Sequence, residues 1–283
     1  LEVILVDSGS SDSTVAIAES YRQRFPVKVV HISPAEFTFG RSLNHGIAVA
    51  EADLVVIASA HVYPIYPDWI EQLLAPFADH KVVLSYGKQR GNHISNFSEQ
   101  QVFKHWYPDG MNGEQSHPFC NNANAAIRRS IWEVHPYDES LSGLEDIAWA
   151  NWVIDQGYRI VYSPEAEIAH LHNETPGAVY NRYRREAMAF KRIFPNEGFT
   201  LWDFIRLVST NIVSDLRQAA VERVLIKHLT SILTFRLMQF WGTYQGYRQS
   251  GPLTWQLRRT FYYPRAAAAA PDDRRPVDPI QYN

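Results

Sequence analysis

A single cysteine, Cys120, is all the thiol this chain of 283 residues carries. An internal disulfide is therefore excluded, and a reducing compartment, the cytoplasm, is expected. No supporting motif surrounds Cys120, so it reads as a packed residue and not as a nucleophile. Also missing is any apolar run near the ~20 residues that cross a bilayer, so no membrane-spanning helix is expected. No Gly-x-Gly-x-x-Gly loop follows any strand-like segment, which argues against a dinucleotide-dependent oxidoreductase or a methyltransferase. Acidic residues thin out in one region. Between Arg182 and Arg265 there are 14 basic and 5 acidic side chains, a local +9 in a chain of net charge −3. An acidic body with a basic, apolar-striped tail suits an anionic surface, and a bilayer fits better than nucleic acid. Lys and Arg solvating outer helix faces is the plainer alternative.

What is present is ordinary for a soluble globular chain with one sizeable core and room for an appendage. Aromatic residues reach 13%, which suits sugar-stacking surfaces and membrane-interface belts alike. The organising stretch is the first fourteen residues. Val3 to Val6 form an apolar run without alternation, as in a strand buried on both faces. The run ends at Asp7 and a cluster of small hydroxyl residues, and a helical pattern begins at once, with Asp12 or Ser13 as its cap and Ile17, Ala18, Tyr21 and Phe25 on one face. Asp7 therefore sits at the carboxyl end of a strand, where open α/β sheets hold ligands. An ordinary turn residue would satisfy the same spacing.

The segment Val6-Asp7-Ser8-Gly9-Ser10-Ser11-Asp12-Ser13-Thr14 resembles the nucleotide-binding loop of family 2 glycosyltransferases of the GT-A fold, rhamnosyltransferases among them. Later segments agree in order through about residue 195. The resemblance implies a Rossmann-like α/β domain over residues 1–195, with a mostly parallel sheet flanked by helices. It also implies that Asp7 reads the nucleobase, with Ser8 beside it, while Asp12 braces the loop. The strand that opens the chain is second in that family, so an earlier strand, lying inside the sheet, is expected ahead of residue 1.

The family often places a basic residue and an Asn where Arg41 and Asn44 stand. Arg41, near a helix N-terminus, is suited to a diphosphate. The third strand, Asp53 to Ser59, ends in Ser59-Ala60-His61, where GT-A enzymes commonly carry Asp-x-Asp to bind a divalent ion, Mn or Mg. Imidazole is a competent Mn or Zn ligand and a poor Mg ligand. Three readings stay open there: a His-ligated metal, a cationic His meeting phosphate directly, or a dead site. Tyr107 to Pro118 reads as a mobile flap over the donor. In Cys120-Asn121-Asn122-Ala123-Asn124, which resembles the family's donor-sugar strand, Asn124 is expected to contact sugar hydroxyls, with Asn122 on the same strand face. The pair Glu145-Asp146 ahead of an aromatic helix resembles the acceptor-site motif. Asp146 is expected to be the catalytic base and Glu145 its orienting partner, although a helix-capping pair would look the same. In His170-Leu171-His172 the two rings share a strand face, and His172 is the preferred second metal ligand.

Residues 196–265 read as a helical, membrane-associated extension and 266–283 as a disordered tail. Together these readings give an inverting glycosyltransferase at the inner face of a membrane. It would move a sugar from a nucleotide-diphosphate donor to a glycan or lipid-linked acceptor. A non-catalytic nucleotide-sugar-binding relative is the alternative, favoured by the absent Asp-x-Asp.

Overall fold

The computed structural model describes residues 1–110, 113–172, 174–248 and 278–282. In chain order the elements are β1 (Val3–Asp7), α1 (Thr14–Ser20), β2 (Val27–His31), α2 (Phe39–Ala48), β3 (Leu54–Ala58), β4 (Val62–Pro64), α3 (Trp69–Leu74), β5 (Val82–Arg90) and α4 (Phe97–Trp106). They continue with β6 (Gly113–Glu114), β7 (Asn124–Arg128), α5 (Arg129–Val134), α6 (Glu145–Asp155), β8 (Arg159–His170), α7 (Pro176–Ile193), α8 (Leu201–Val221) and α9 (Leu225–Tyr247).

The α/β architecture and the helical C-terminal region match the sequence reading, but the strand directions do not. β1 and β2 form a parallel pair of their own. The main sheet runs β3-β7-β5-β8-β4, with β6 also on β8. Within it only β5 and β8 are parallel; β7 runs against both β3 and β5, and β4 and β6 run against β8. The expected mostly parallel sheet is thus a mixed one. β8 bulges between its pairings with Gly87 and Gln89 and so continues past Pro164 to His170.

The apolar runs explain the core. Leu84, Ile127 and Ile160 from adjacent strands pack with Trp149 and Val153 of α6 and with Tyr107, all buried. α1 behaves differently. Ile17 stands 56% exposed and no residue of the helix is buried, so its apolar face lies at the edge beside β1 and β2 and not in the core. The Tyr107–Pro118 segment is anchored where it is described: β6 pairs with β8, and the Gln115 side-chain carbonyl accepts from the Tyr86 hydroxyl at 2.7 Å.

The C-terminal helices form a second core in which Phe190 of α7, Leu207 of α8 and Phe240 of α9 meet Phe199. A buried ion pair ties the layer together. Arg236 of α9 donates to both Asp215 oxygens at 2.8 and 2.9 Å, and to the Ser98 carbonyl of α4 at 3.3 Å. The α7–α9 crossing is close enough to require glycine. A Cβ at Gly242 would stand 2.4 Å from the Tyr180 carbonyl oxygen. Gly242→Ala is therefore expected to destabilise by about 1–3 kcal/mol, read as a lowered Tm. Gly177→Ala, where a Cβ meets nothing within 4 Å, should leave Tm unchanged or raise it.

Residues 249–265 of the expected extension, and 266–277 and 283 of the expected disordered tail, lie outside the described residues. The described part of the tail is not free chain. The Ile280 N–H donates to the Ile65 carbonyl at 2.7 Å, and the Tyr282 ring sits 4.8 Å from that of Tyr63 on β4.

Candidate active site

α6 begins abruptly. Leu144, the residue before it, adopts a left-handed conformation (φ 58°, ψ 27°) that a leucine takes only under constraint. Its side chain packs against the α7–α9 core, so the helical layer helps fix the start of α6. Glu145 and Asp146 come next, each only 7% exposed. Asp146 accepts the Ile147 N–H at 2.8 Å on one oxygen and the Asn122 N–H at 3.2 Å on the other. Tyr137 donates its hydroxyl to the Asn122 side-chain oxygen at 3.4 Å, and the Asn122 side chain faces Glu145, whose carboxyl it helps hold down against burial.

Burial pushes both carboxyls up, and the charge of Asp146 pushes Glu145 further. The two backbone N–H groups on Asp146 oppose its rise, so Asp146 is the more acidic of the pair. Near neutral pH the shared proton resides on Glu145 and the negative charge on Asp146. A carboxyl raised by folding stabilises fully below its unfolded pKa, and that contribution is lost as pH rises through the folded value. Glu145→Gln cannot ionise. Its Tm should match the parent near about pH 4, below the unfolded value, and exceed it near about pH 9, by thermal melts at each pH.

Asp7 ends β1 as expected and is 6% exposed. It accepts the Ser10 N–H at 3.0 Å and the Gly9 N–H at 3.1 Å, with His31 Nδ1 at 3.3 Å. The Ser10 hydroxyl and N–H, then Gly9 and His31, hold its pKa down to about 2. Oδ2 is fully engaged by Gly9 and the exposed His31, and Oδ1 by Ser10. Ser8 beside it is half-buried.

Two expected donor contacts are already spent on the protein. Asn44 donates to the Tyr137 carbonyl (2.9 Å) and to Glu139 (3.0 Å), and accepts from Trp132 (2.8 Å) and the Tyr137 N–H (3.0 Å). Asn124 is fully buried; it accepts from Trp69 at 2.9 Å and donates to the Ala166 and Lys88 carbonyls at 2.7 and 3.2 Å. Asn44 has no capacity left for a ligand, and Asn124, with one Oδ1 lone pair unused, is fully buried, so both brace the fold. Asn122 does not share a strand face with Asn124, because residues 121–123 form the turn ahead of β7. Arg41 is half-committed: its Nε donates to Glu139 at 2.8 Å and its Nη1 to the Glu36 carbonyl at 3.3 Å.

The imidazoles do come together, and there are three. His61 lies just after β3, His170 ends β8 and His172 follows two residues beyond it; one nitrogen from each lies within 4.8 Å of the others. His61 Nε2 and His170 Nε2 are 2.8 Å apart. The outer nitrogens are held. His170 Nδ1 meets Gln89 Oε1 at 2.6 Å, and His172 Nδ1 meets Glu99 Oε1 at 2.7 Å. Gln89 donates its own amide to Asn121 at 3.1 Å, which assigns Oε1 as the acceptor. Both Nδ1 atoms therefore carry the proton and both Nε2 lone pairs turn inward, an arrangement typical of metal-binding histidines. Burial and the neighbouring rings push His170 down to about 2, and burial also lowers His61, so both rings are neutral and able to ligate. Ser59 stands half-buried two residues before His61. A neighbouring set, Glu99, His172 and Glu174, is bound by Arg182, whose Nη2 donates to Glu99 at 2.6 Å.

Adjacent residues connect the two centres. Asn121 anchors Gln89 behind His170, and Asn122 gives its N–H to Asp146. Through Asn122 and Tyr137 the acid pair also reaches Asn44 and Arg41 of α2, which packs on β1. The sequence alone does not rank His170 as a ligand, although its i,i+2 spacing to His172 is visible there. Gln89, Glu99 and Arg182 come from β5, α4 and α7, and no local signal marks them.

Residues 1–135 match the glycosyl transferase family 2 domain. The chain is 28% identical over 260 residues to the O-antigen chain rhamnosyltransferase WbaN of Salmonella anatum, covering 85% of this chain and 80% of that protein. It is 26% identical over 264 residues to the O-antigen chain rhamnosyltransferase RfbN of Salmonella typhimurium, covering 85% and 81%. Among solved structures, the mannosyltransferase PcManGT from Pyrobaculum calidifontis, in complex with GDP-Man and Mn2+, shares the fold with a TM-score of 0.54 at 18% identity, over 87% of this chain and 75% of that one.

Proposed function

We propose that this chain, whose residues 1–135 match the glycosyl transferase family 2 domain and whose fold is of the GT-A type, is an inverting transferase that moves a sugar of the rhamnose class from a nucleotide-diphosphate donor to a glycan or lipid-linked acceptor at the cytoplasmic face of a membrane. The observation that carries this is the Asn121-Asn122 turn, which bonds to Gln89 behind the imidazole cluster and to Asp146 of the acid pair. In this reading Asp7 takes a nucleobase N–H in place of the exposed His31 ring, with Ser8 beside it. Arg41 and Ser59 face the diphosphate. The Asn122 amide, beside Glu145, donates to a sugar or acceptor hydroxyl.

Asp146 is the base. The acceptor O–H gives its proton to the Asp146 carboxylate as its oxygen attacks C1 from the face opposite the nucleotide. The C1–O bond to the diphosphate breaks, and its electron pair leaves on the phosphate oxygen. Glu145, protonated, orients the acceptor by donating a hydrogen bond. His61, His170 and His172 would hold a divalent cation, Mn2+ in preference to Mg2+, which when bound offsets charge on the departing diphosphate.

A panel of nucleotide-sugars assayed for nucleoside diphosphate release, with and without Mn2+, tests this reading. Release that rises with an acceptor supports it. Nucleotide-sugar binding without any release would favour the non-catalytic alternative suggested by the lost Asp-x-Asp.

A further inference from the structure

The helices α8 and α9 form a hairpin with two faces of different use. The inner face carries Leu207, Ala219, Ile232 and Phe240 into the body. The outer face of α9 is a continuous apolar stripe: Ile226 (95% exposed), Leu229, Leu233, Leu237 and Trp241, the last four each 36–44% exposed. Steps of three and four residues keep these on one side of the helix. From Ile226 to Trp241 the stripe runs about 22 Å. On α8 the outward residues include Trp202, Ile205, Val213 and Val221, from 44% to 77% exposed. Rings of Phe204 and Trp241 lie 5.5 Å apart, so the start of α8 meets the end of α9 and the two stripes run side by side.

Charge on this hairpin is one-sided. Asp203 is spent on the α8 cap and Asp215 on Arg236, both buried. Glu222 is the exposed acid between Leu201 and Arg248, and it faces Lys104. Around the stripes stand exposed Arg217, Arg223, Lys227 and Arg248. Among the described residues no helix is long and apolar enough to cross a bilayer.

We propose that the outer face of the α8–α9 hairpin is a docking surface for an anionic bilayer, lying in the interface with its apolar stripes down and its cations among the headgroups. A second copy of the chain is a poorer occupant, because a two-fold contact through this face would set like-charged Arg217 and Lys227 rims against each other. The proposal deepens the membrane placement given above by naming the surface. Its test needs neither donor nor acceptor, so its failure and that of the transfer reading are separate results.

The experiment is co-sedimentation of the full chain with phosphatidylcholine vesicles, with and without phosphatidylglycerol. The protein should pellet with the anionic vesicles and be released by salt. Leu233→Ser/Leu237→Ser should weaken partitioning by at least about tenfold, and Arg217→Glu/Lys227→Glu should abolish the preference for anionic lipid. Because all four positions are exposed, Tm should stay at the parental value and certify the fold. Protein that remains in the supernatant with both vesicles overturns the proposal. So does equal pelleting of parent and variants, or a dimer in solution that the Leu233→Ser/Leu237→Ser chain no longer forms.

Discussion

Asp146→Asn is expected to cut glycosyl transfer by about 10²–10⁴-fold while leaving donor KM near the parental value. The carboxylate sits at the start of α6 with one oxygen on the Ile147 N–H and the other on the Asn122 N–H. A carboxamide keeps the shape and one of those contacts, but it cannot accept the acceptor's proton. Burial holds the Asp146 pKa above the ordinary carboxylate range. Transfer should therefore rise with pH along a limb set higher than a solvent-exposed aspartate would give, and the variant should lack that limb. Removing a buried negative charge should also leave folding intact at alkaline pH, so a thermal melt separates lost chemistry from lost structure. If the pair only supported the first turn of α6, the substitution would change transfer by no more than a few-fold, and that result would end the assignment. Glu145→Gln is the paired control. A protonated Glu145 donates one hydrogen bond, which an amide can also donate, so its loss should be far smaller.

The legible and the hidden features of this chain divide along a physical line. The β1 strand, its turn at Asp7 and the acid pair opening α6 are local patterns, set by runs of apolar residues and by the polar or helical segments that end those runs. They stand where the sequence placed them. Asn44 and Asn124, expected to face the donor, are engaged by the protein itself for a non-local reason. Their amides are consumed by Trp132 and Tyr137 in one case and by Trp69 and Ala166 in the other, partners some 40 to 90 residues away that only the tertiary fold supplies. Strand direction was equally hidden. Val82 to Gly87 and Asn124 to Arg128 read alike as buried strands, and nothing within either says that β7 runs against β5. The third imidazole was in view but unranked, because its claim rests on Gln89 behind it.

His61→Ala is expected to lower Mn2+ affinity by at least about 100-fold and to take transfer down with it, the loss of a direct ligand exceeding the usual cost of losing an outer partner. It is the informative variant of the three. His61 is the outermost ring, whereas His170 is buried against Phe103 and Gln89, where truncation would leave a cavity and an unpaired amide. The rival, in which cationic histidines meet phosphate without a metal, conflicts with the electrostatics. Two Nε2 atoms 2.8 Å apart cannot both carry protons, and burial already lowers both pKa values. The two readings part on chelation. A metal centre predicts that EDTA silences the parent, that Mn2+ restores it better than Mg2+, and that Gln89→Leu costs about 10–100-fold in Mn2+ affinity by releasing His170 from its tautomer. Calorimetric Mn2+ titrations of parent and variants, run beside nucleotide-release assays, read both quantities. Full activity in EDTA, together with an unchanged Mn2+ isotherm for His61→Ala, would remove the metal from the account and return the imidazoles to a structural role.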